Sequence, residues 1–197
     1  MSIPLAVKVL HTLFVIALVP AYWIYHRPGN FLWFSDIALF VSVVALWSEN
    51  AFLASMQAVG VAALETLWIV DFLTRLIAGV QLTGLSNYMF NAKHPLWIRG
   101  LSLFHLWLPI LLLWMVHRFG YDPRAWMAQT LLAWLVLPLS YAFTAPAKNV
   151  NWVHGIGAQS QTRLHPWRWL VLLMIAIPLC VYWPTHLVLE RVMPHRA

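Results

Sequence analysis

Apolar residues run through this chain in six long stretches, and polar residues cluster almost entirely in the short segments between them. The stretches span about 4–25, 31–47, 51–80, 96–117, 125–144 and 167–188. A spanning helix needs roughly 20 apolar residues, so the pattern predicts an all-α polytopic transmembrane bundle of about six helices. The first stretch stops at His26-Arg27-Pro28-Gly29-Asn30, a turn signal that carries charge. Ser48-Glu49-Asn50 makes a tight connection to the third stretch, which is long enough that it must tilt, break or run past the head groups. Residues 81–95 and 145–166 are polar loops, and Gly120-Tyr121-Asp122-Pro123-Arg124 is a short connector.

Spanning helices alternate direction, because lipid-exposed backbone cannot stop inside hydrocarbon. The 26–30, 81–95 and 145–166 segments therefore share one side, designated the site side. The 48–50 and 118–124 connectors share the far side with both ends of the chain. Arg27, Lys93, Lys148 and Arg163 lie in site-side loops, with Arg99 and Arg168 just inside the adjoining helix ends. Arg118, Arg124, Arg191 and Arg196 lie on the far side, with Lys8 near it. The balance favours the site side as cytoplasmic by a narrow margin.

Composition agrees with a single membrane domain over residues 1–197. The chain is 62% hydrophobic and 9% charged, with a mean hydropathy of +0.74, which excludes a soluble fold. Its first apolar run lacks a basic lead-in and a small-residue cleavage pattern, so it reads as a retained helix. The net charge of +6 resides in loops and points to lipid head groups, not nucleic acid. The expected partners are membrane lipids and the expected location a bacterial inner membrane. Cys180 is the one cysteine, so no intramolecular disulfide or cysteine metal site can form. No HxxxH, HxxE or HxH spacing occurs, and no Lys lies deep in a late helix. The sequence therefore gives no metal or cofactor site.

Chemistry, if present, rests on the few polar groups inside apolar runs: Ser35, Asp36, Glu65, Asp71, Arg75 and His105. Ser35 and His105 lie roughly 6 and 13 Å along helices that both start on the site side, at 1.5 Å per residue. A hydroxyl and an imidazole at similar depth are the minimum parts of an activated nucleophile; each can equally bond its own helix or a neighbour. Asp36 points about 100° from Ser35, so it either orients His105, binds a loop or complements the helix dipole. Asp71 and Arg75 stand at i,i+4 and are expected to form a structural ion pair. Glu65 has no local partner and is expected to face the interior and contact His105 or another polar group. Asn149 and Asn151, in the 145–166 loop, can donate to an oxyanion or simply solvate the loop.

Asn30–Phe40, NFLWFSDIALF, resembles the second-helix segment of the YwaF-like bacterial six-helix integral membrane proteins. More remotely it is similar to the androgen-induced-gene type of intramembrane lipid hydrolase and to a related acyltransferase. Leu101–Arg124 resembles the His-bearing helix of those proteins, and Asn149–Trp152 is similar to an Asn-Tyr motif in a corresponding loop. The chain also resembles uncharacterised bacterial membrane proteins. The resemblance covers about half the chain and implies Ser35 as nucleophile and His105 as base. Ser stands where relatives carry Thr or Cys, and Trp33-Phe34 replaces their His-rich lead-in. The function expected is an intramembrane lipid-acyl hydrolase or acyltransferase. The alternative is a small transporter or structural subunit with a buried Glu/Asp/Arg network.

Overall fold

The structure is a computed structural model that describes residues 3–157 and 160–195; Gln159 and Arg196 lie outside the described residues. The helices are α1 (Leu5–His26), α2 (Phe34–Ser48), α3 (Ala51–Ala78), α4 (Leu96–Leu101), α5 (Phe104–Phe119), α6 (Ala125–Phe143), α7 (Pro166–Ile177) and α8 (Trp183–Val192). α4 and α5 together form the fourth span, broken at Ser102-Leu103. α7 and α8 form the sixth, joined by a π-helical turn over Pro178–Tyr182. Five spans are long and apolar enough to cross a membrane. No sheet occurs among the described residues. The protein is a multi-pass membrane protein built as an all-α bundle.

α3 is the central helix and is continuous over 28 residues, so the long third stretch neither breaks nor crosses twice. Asn50 caps its start by accepting from Leu53 N at 3.0 Å, and Gly79 ends it in the left-handed region at φ 70°. Ala51, Ala54, Ser55, Ala58, Gly60 and Ala62 are buried along it. Such small side chains let α2, α5 and α6 pack closely without any hydrophobic drive between helices in lipid. The outward faces carry Ile24 and Ile77, 77% and 82% exposed, which only hydrocarbon would solvate well.

α2 begins later than its apolar run. Pro28–Leu32 winds as a 3-10 helix, and α2 is only 15 residues long, about 22 Å at 1.5 Å per residue. It nonetheless joins the two ends of the bundle. At its finish Glu49 accepts from Lys8 Nζ at 2.7 Å and from Ile3 N at 3.1 Å. At its start Phe34 N donates to Asn151 Oδ1 in the 145–166 loop.

The same contacts establish the alternation of spans. At one end Tyr25, His26, His94 and Lys148 meet. At the other, Tyr121 N donates to Pro194 O at 2.6 Å and Asp122 N to Ser55 Oγ at 3.0 Å.

Candidate functional site

The break between α4 and α5 places His105 on the first turn of α5, facing α3. There His105 Nδ1 donates to Glu65 Oε2 across 2.6 Å, the short range of a charge-assisted hydrogen bond. Glu65 is 5% exposed at the middle of α3. Trp68, one turn further along α3, stacks on the imidazole with ring centres 4.7 Å apart. Phe104 flanks it at 4.2 Å. The ring is therefore clamped by a carboxylate and aromatic faces, and Nε2 makes no hydrogen bond with the described residues. A carboxylate on Nδ1 and a free Nε2 is the arrangement by which an imidazole serves as an oriented base.

Further polar groups surround this pair. Tyr22 Oη donates to Ser102 Oγ at 2.7 Å, and Ser102 in turn donates to the Ile98 carbonyl at 3.3 Å. Tyr88 lies against Trp68, with ring centres 6.4 Å apart. Asp36 is 2% exposed and accepts from Asn30 Nδ2 at 2.8 Å; its second oxygen, Oδ1, has no partner. Asp36 and Glu65 lie within electrostatic range of each other. Asp36 thus binds the neighbouring turn and also places an acid in the first turn of α2, where it complements the helix dipole.

Ser35 shares the face of α2 that carries Leu39, Ser42 and Leu46 at i+4, i+7 and i+11, all fully buried. Ser35 itself stays half-buried, between the buried Phe34 and Asp36 of the same turn. No hydrogen bond joins Ser35 to His105: the imidazole nitrogen that faces a partner faces Glu65.

The expected Asp71–Arg75 pair does not form. Asp71 Oδ1 accepts from the backbone N–H groups of Leu82, Thr83 and Gly84 at 3.2, 2.7 and 3.0 Å. Its Oδ2 accepts from Ser86 N and Oγ at 2.9 and 2.6 Å. A loop folding back over the end of α3 offers five donors, which together outweigh one flexible guanidinium. Arg75 instead donates to Asn87 Oδ1 and lies over the Phe90 ring at 4.5 Å.

Asn149 and Asn151 are buried and fully engaged. Asn149 Nδ2 donates to the Gly155 and Gly157 carbonyls at 2.7 and 2.8 Å, and its Oδ1 accepts from His154 N at 2.9 Å. Asn151 Nδ2 donates to Leu32 O and Ser140 Oγ at 2.7 and 3.1 Å. Both adopt positive φ, 42° and 51°, which Asn tolerates better than most residues. Their amides shape the loop and cap α2, so neither is free to serve an oxyanion.

A Ser–His hydrogen bond does form elsewhere, nearer the far side. His11 Nε2 donates to Ser42 Oγ at 2.8 Å and reaches the Leu39 carbonyl at 3.2 Å, while the Ser42 hydroxyl donates to Leu39 O at 2.8 Å. Ser42 is wholly buried and its proton committed to backbone, so the pair ties α1 to α2. Beside it an apolar groove of about 470 Å³ runs between α1 and α5, lined by Val7, His11, Phe14, Trp107, Leu111 and Trp114 among others. Sequence reasoning missed His11, Ser42, Tyr22 and Ser102. Each is one polar group in an apolar run, and only the intrusion of a polar group there marked it.

Among the described residues no three His, Cys, Asp or Glu side chains gather as a metal site. No protein-family model, curated protein or solved structure matches the chain.

Proposed function

We propose that this protein is an intramembrane lipid-acyl hydrolase or acyltransferase, of the kind its remote resemblance to the androgen-induced-gene type implies, in which Glu65 orients His105 as general base. The observation that carries the reading is the 2.6 Å Glu65–His105 hydrogen bond inside a membrane bundle. A buried carboxylate–imidazole pair is costly in hydrocarbon and marks a functional site by default.

In the proposed reaction His105 Nε2 takes the proton of the Ser35 hydroxyl as Oγ attacks the ester carbonyl carbon. The carbon–oxygen bond to the leaving alcohol breaks, and the proton passes from His105 to that alcohol. Water or an acceptor alcohol then attacks the acyl-serine with the same base, releasing acid or a new ester. Support for Ser35 is its place on the core-facing stripe of α2, half open where its neighbours are closed.

One observation favours a second reading, a non-catalytic proton relay: Asp36, with an unpartnered oxygen, sits within range of Glu65. A fluorophosphonate probe with a lipid-ester panel separates the two. Labelling and turnover lost in Ser35→Ala and in His105→Ala support the serine mechanism. Turnover kept in Ser35→Ala but lost in His105→Ala moves the attack to a water activated by the pair. A purified parent protein that turns over no ester leaves the relay.

A further inference from the structure

The site-side end of the bundle gathers basic side chains from three separate segments. His26 closes α1, His94 stands in the 81–95 loop, and Lys148 stands in the 145–166 loop. The His26 and His94 rings lie 6.4 Å apart, and Lys148 Nζ donates to the His26 carbonyl. Tyr25 Oη and His94 Nδ1 share a hydrogen bond at 3.2 Å, and Tyr25 Oη also donates to the Lys93 carbonyl at 3.4 Å, which together fix that ring. Tyr25 and Tyr22 pack edge-on against His26, with ring centres 4.8 and 5.0 Å away. Arg27 and Lys93, both exposed, adjoin His26 and His94 in the chain.

No acidic side chain answers this cluster. The chain has six acidic residues, and each is accounted for elsewhere. Glu49, Asp122 and Glu190 pair with Lys8, Arg124 and His186 at the far end. Asp71 is bound by the 82–86 loop, Glu65 by His105 and Asp36 by Asn30. Lys148 contacts a neutral carbonyl, so its charge is unopposed. Two imidazoles and an ammonium group, held by aromatic packing at a membrane surface, suit an oxyanion with several acceptor oxygens.

We infer that His26, His94 and Lys148 form a phosphate-binding site, and that its occupant is the headgroup of an anionic phospholipid. The site lies at the end of the bundle where a lipid headgroup resides, with Tyr22 one helical turn below it. The inference stands whether or not the Glu65–His105 pair turns over lipid.

The test measures lipid retention by native mass spectrometry of the detergent-purified protein, after exchange into phosphatidylglycerol or phosphatidylcholine. The parent is expected to retain phosphatidylglycerol over phosphatidylcholine by about tenfold, the equivalent of one charge-assisted contact. His94→Ala with Lys148→Ala should abolish that preference, while Lys148→Arg keeps it. Lys148→Met alone serves as a second variant, since this exposed side chain carries none of the core. Arg191→Ala, basic but at the far end, should change nothing. Inorganic phosphate at millimolar concentration tells the sources apart. Retention that survives it assigns the site to the lipid headgroup, and displacement by it contradicts that occupant. Parent-level preference in both the double variant and Lys148→Met would overturn the proposal, as would an equal loss in Arg191→Ala.

Discussion

Glu65 and His105, 40 residues apart in sequence, meet at 2.6 Å in the middle of the bundle, and the imidazole lies between the Trp68 and Phe104 rings. A buried pair of this kind is destabilised by about 3–5 kcal/mol when one partner is removed, because the other is stranded. Replacing both by apolar residues is close to neutral. Glu65→Ala should therefore lower stability in detergent more than Glu65→Leu with His105→Leu, measured by thermal or denaturant unfolding. Equal losses would mean the two groups are not energetically coupled.

Asp71 should matter through the loop, not through Arg75. Asp71→Ala strands five donors and is expected to cost at least about 3 kcal/mol, given about 1.5–3 kcal/mol for each hydrogen bond to a charged group and strong overlap among them. Arg75→Leu should cost far less. Asp71→Leu with Arg75→Leu should be as damaging as Asp71→Ala, the reverse of what an i,i+4 ion pair gives. Hydrogen exchange of residues 82–86 would show the loss locally.

The Asp71 result shows how far the sequence carried the reading. Hydropathy places the five long spans, because each of those runs reaches or exceeds a membrane thickness, and it flags Glu65 because nothing local can pair it. The start of α2 was misplaced by three residues: Pro28 and Gly29 begin a 3-10 turn that apolar Phe31 and Leu32 continue. Spacing rules favoured Arg75 for Asp71 because they see only one helix, whereas the actual donors come from a loop that folds back. Tyr22–Ser102 and His11–Ser42 leave no mark in the sequence, because a bond between helices leaves no period in either one.

Asn151 should prove structural. Asn151→Ala removes the cap on α2, orphans the Ser140 and Leu32 contacts, and puts Ala at φ 51°. A stability loss of about 2–3 kcal/mol is expected. Turnover per folded molecule should be unchanged, since the amide has no donor to spare. A variant that folds at parental stability but loses turnover would return Asn151 to the oxyanion.

At the far end, Glu49 is held below the ordinary carboxylate range, first by its hydrogen bond from Lys8 and then by Ile3 N. A depressed folded-state value means the contribution is present above the unfolded value of about 4.3 and is lost as pH falls through the lower folded one. The difference in melting temperature between parent and Glu49→Gln should thus shrink below about pH 4. It should also be small and weaken with salt, because the pair is partly exposed. A difference that grows on acidification would contradict the assignment.

The most direct test of the central claim is a double-mutant cycle on lipid-ester turnover, using Glu65→Gln, His105→Ala and the two combined. If the carboxylate acts only by orienting the imidazole, each single change should lower kcat by about 10²-fold or more, and the combination should be no worse than His105→Ala alone. Losses that multiply in the combination, or a Glu65→Gln protein with parental kcat, would show that the two residues do not act as one unit.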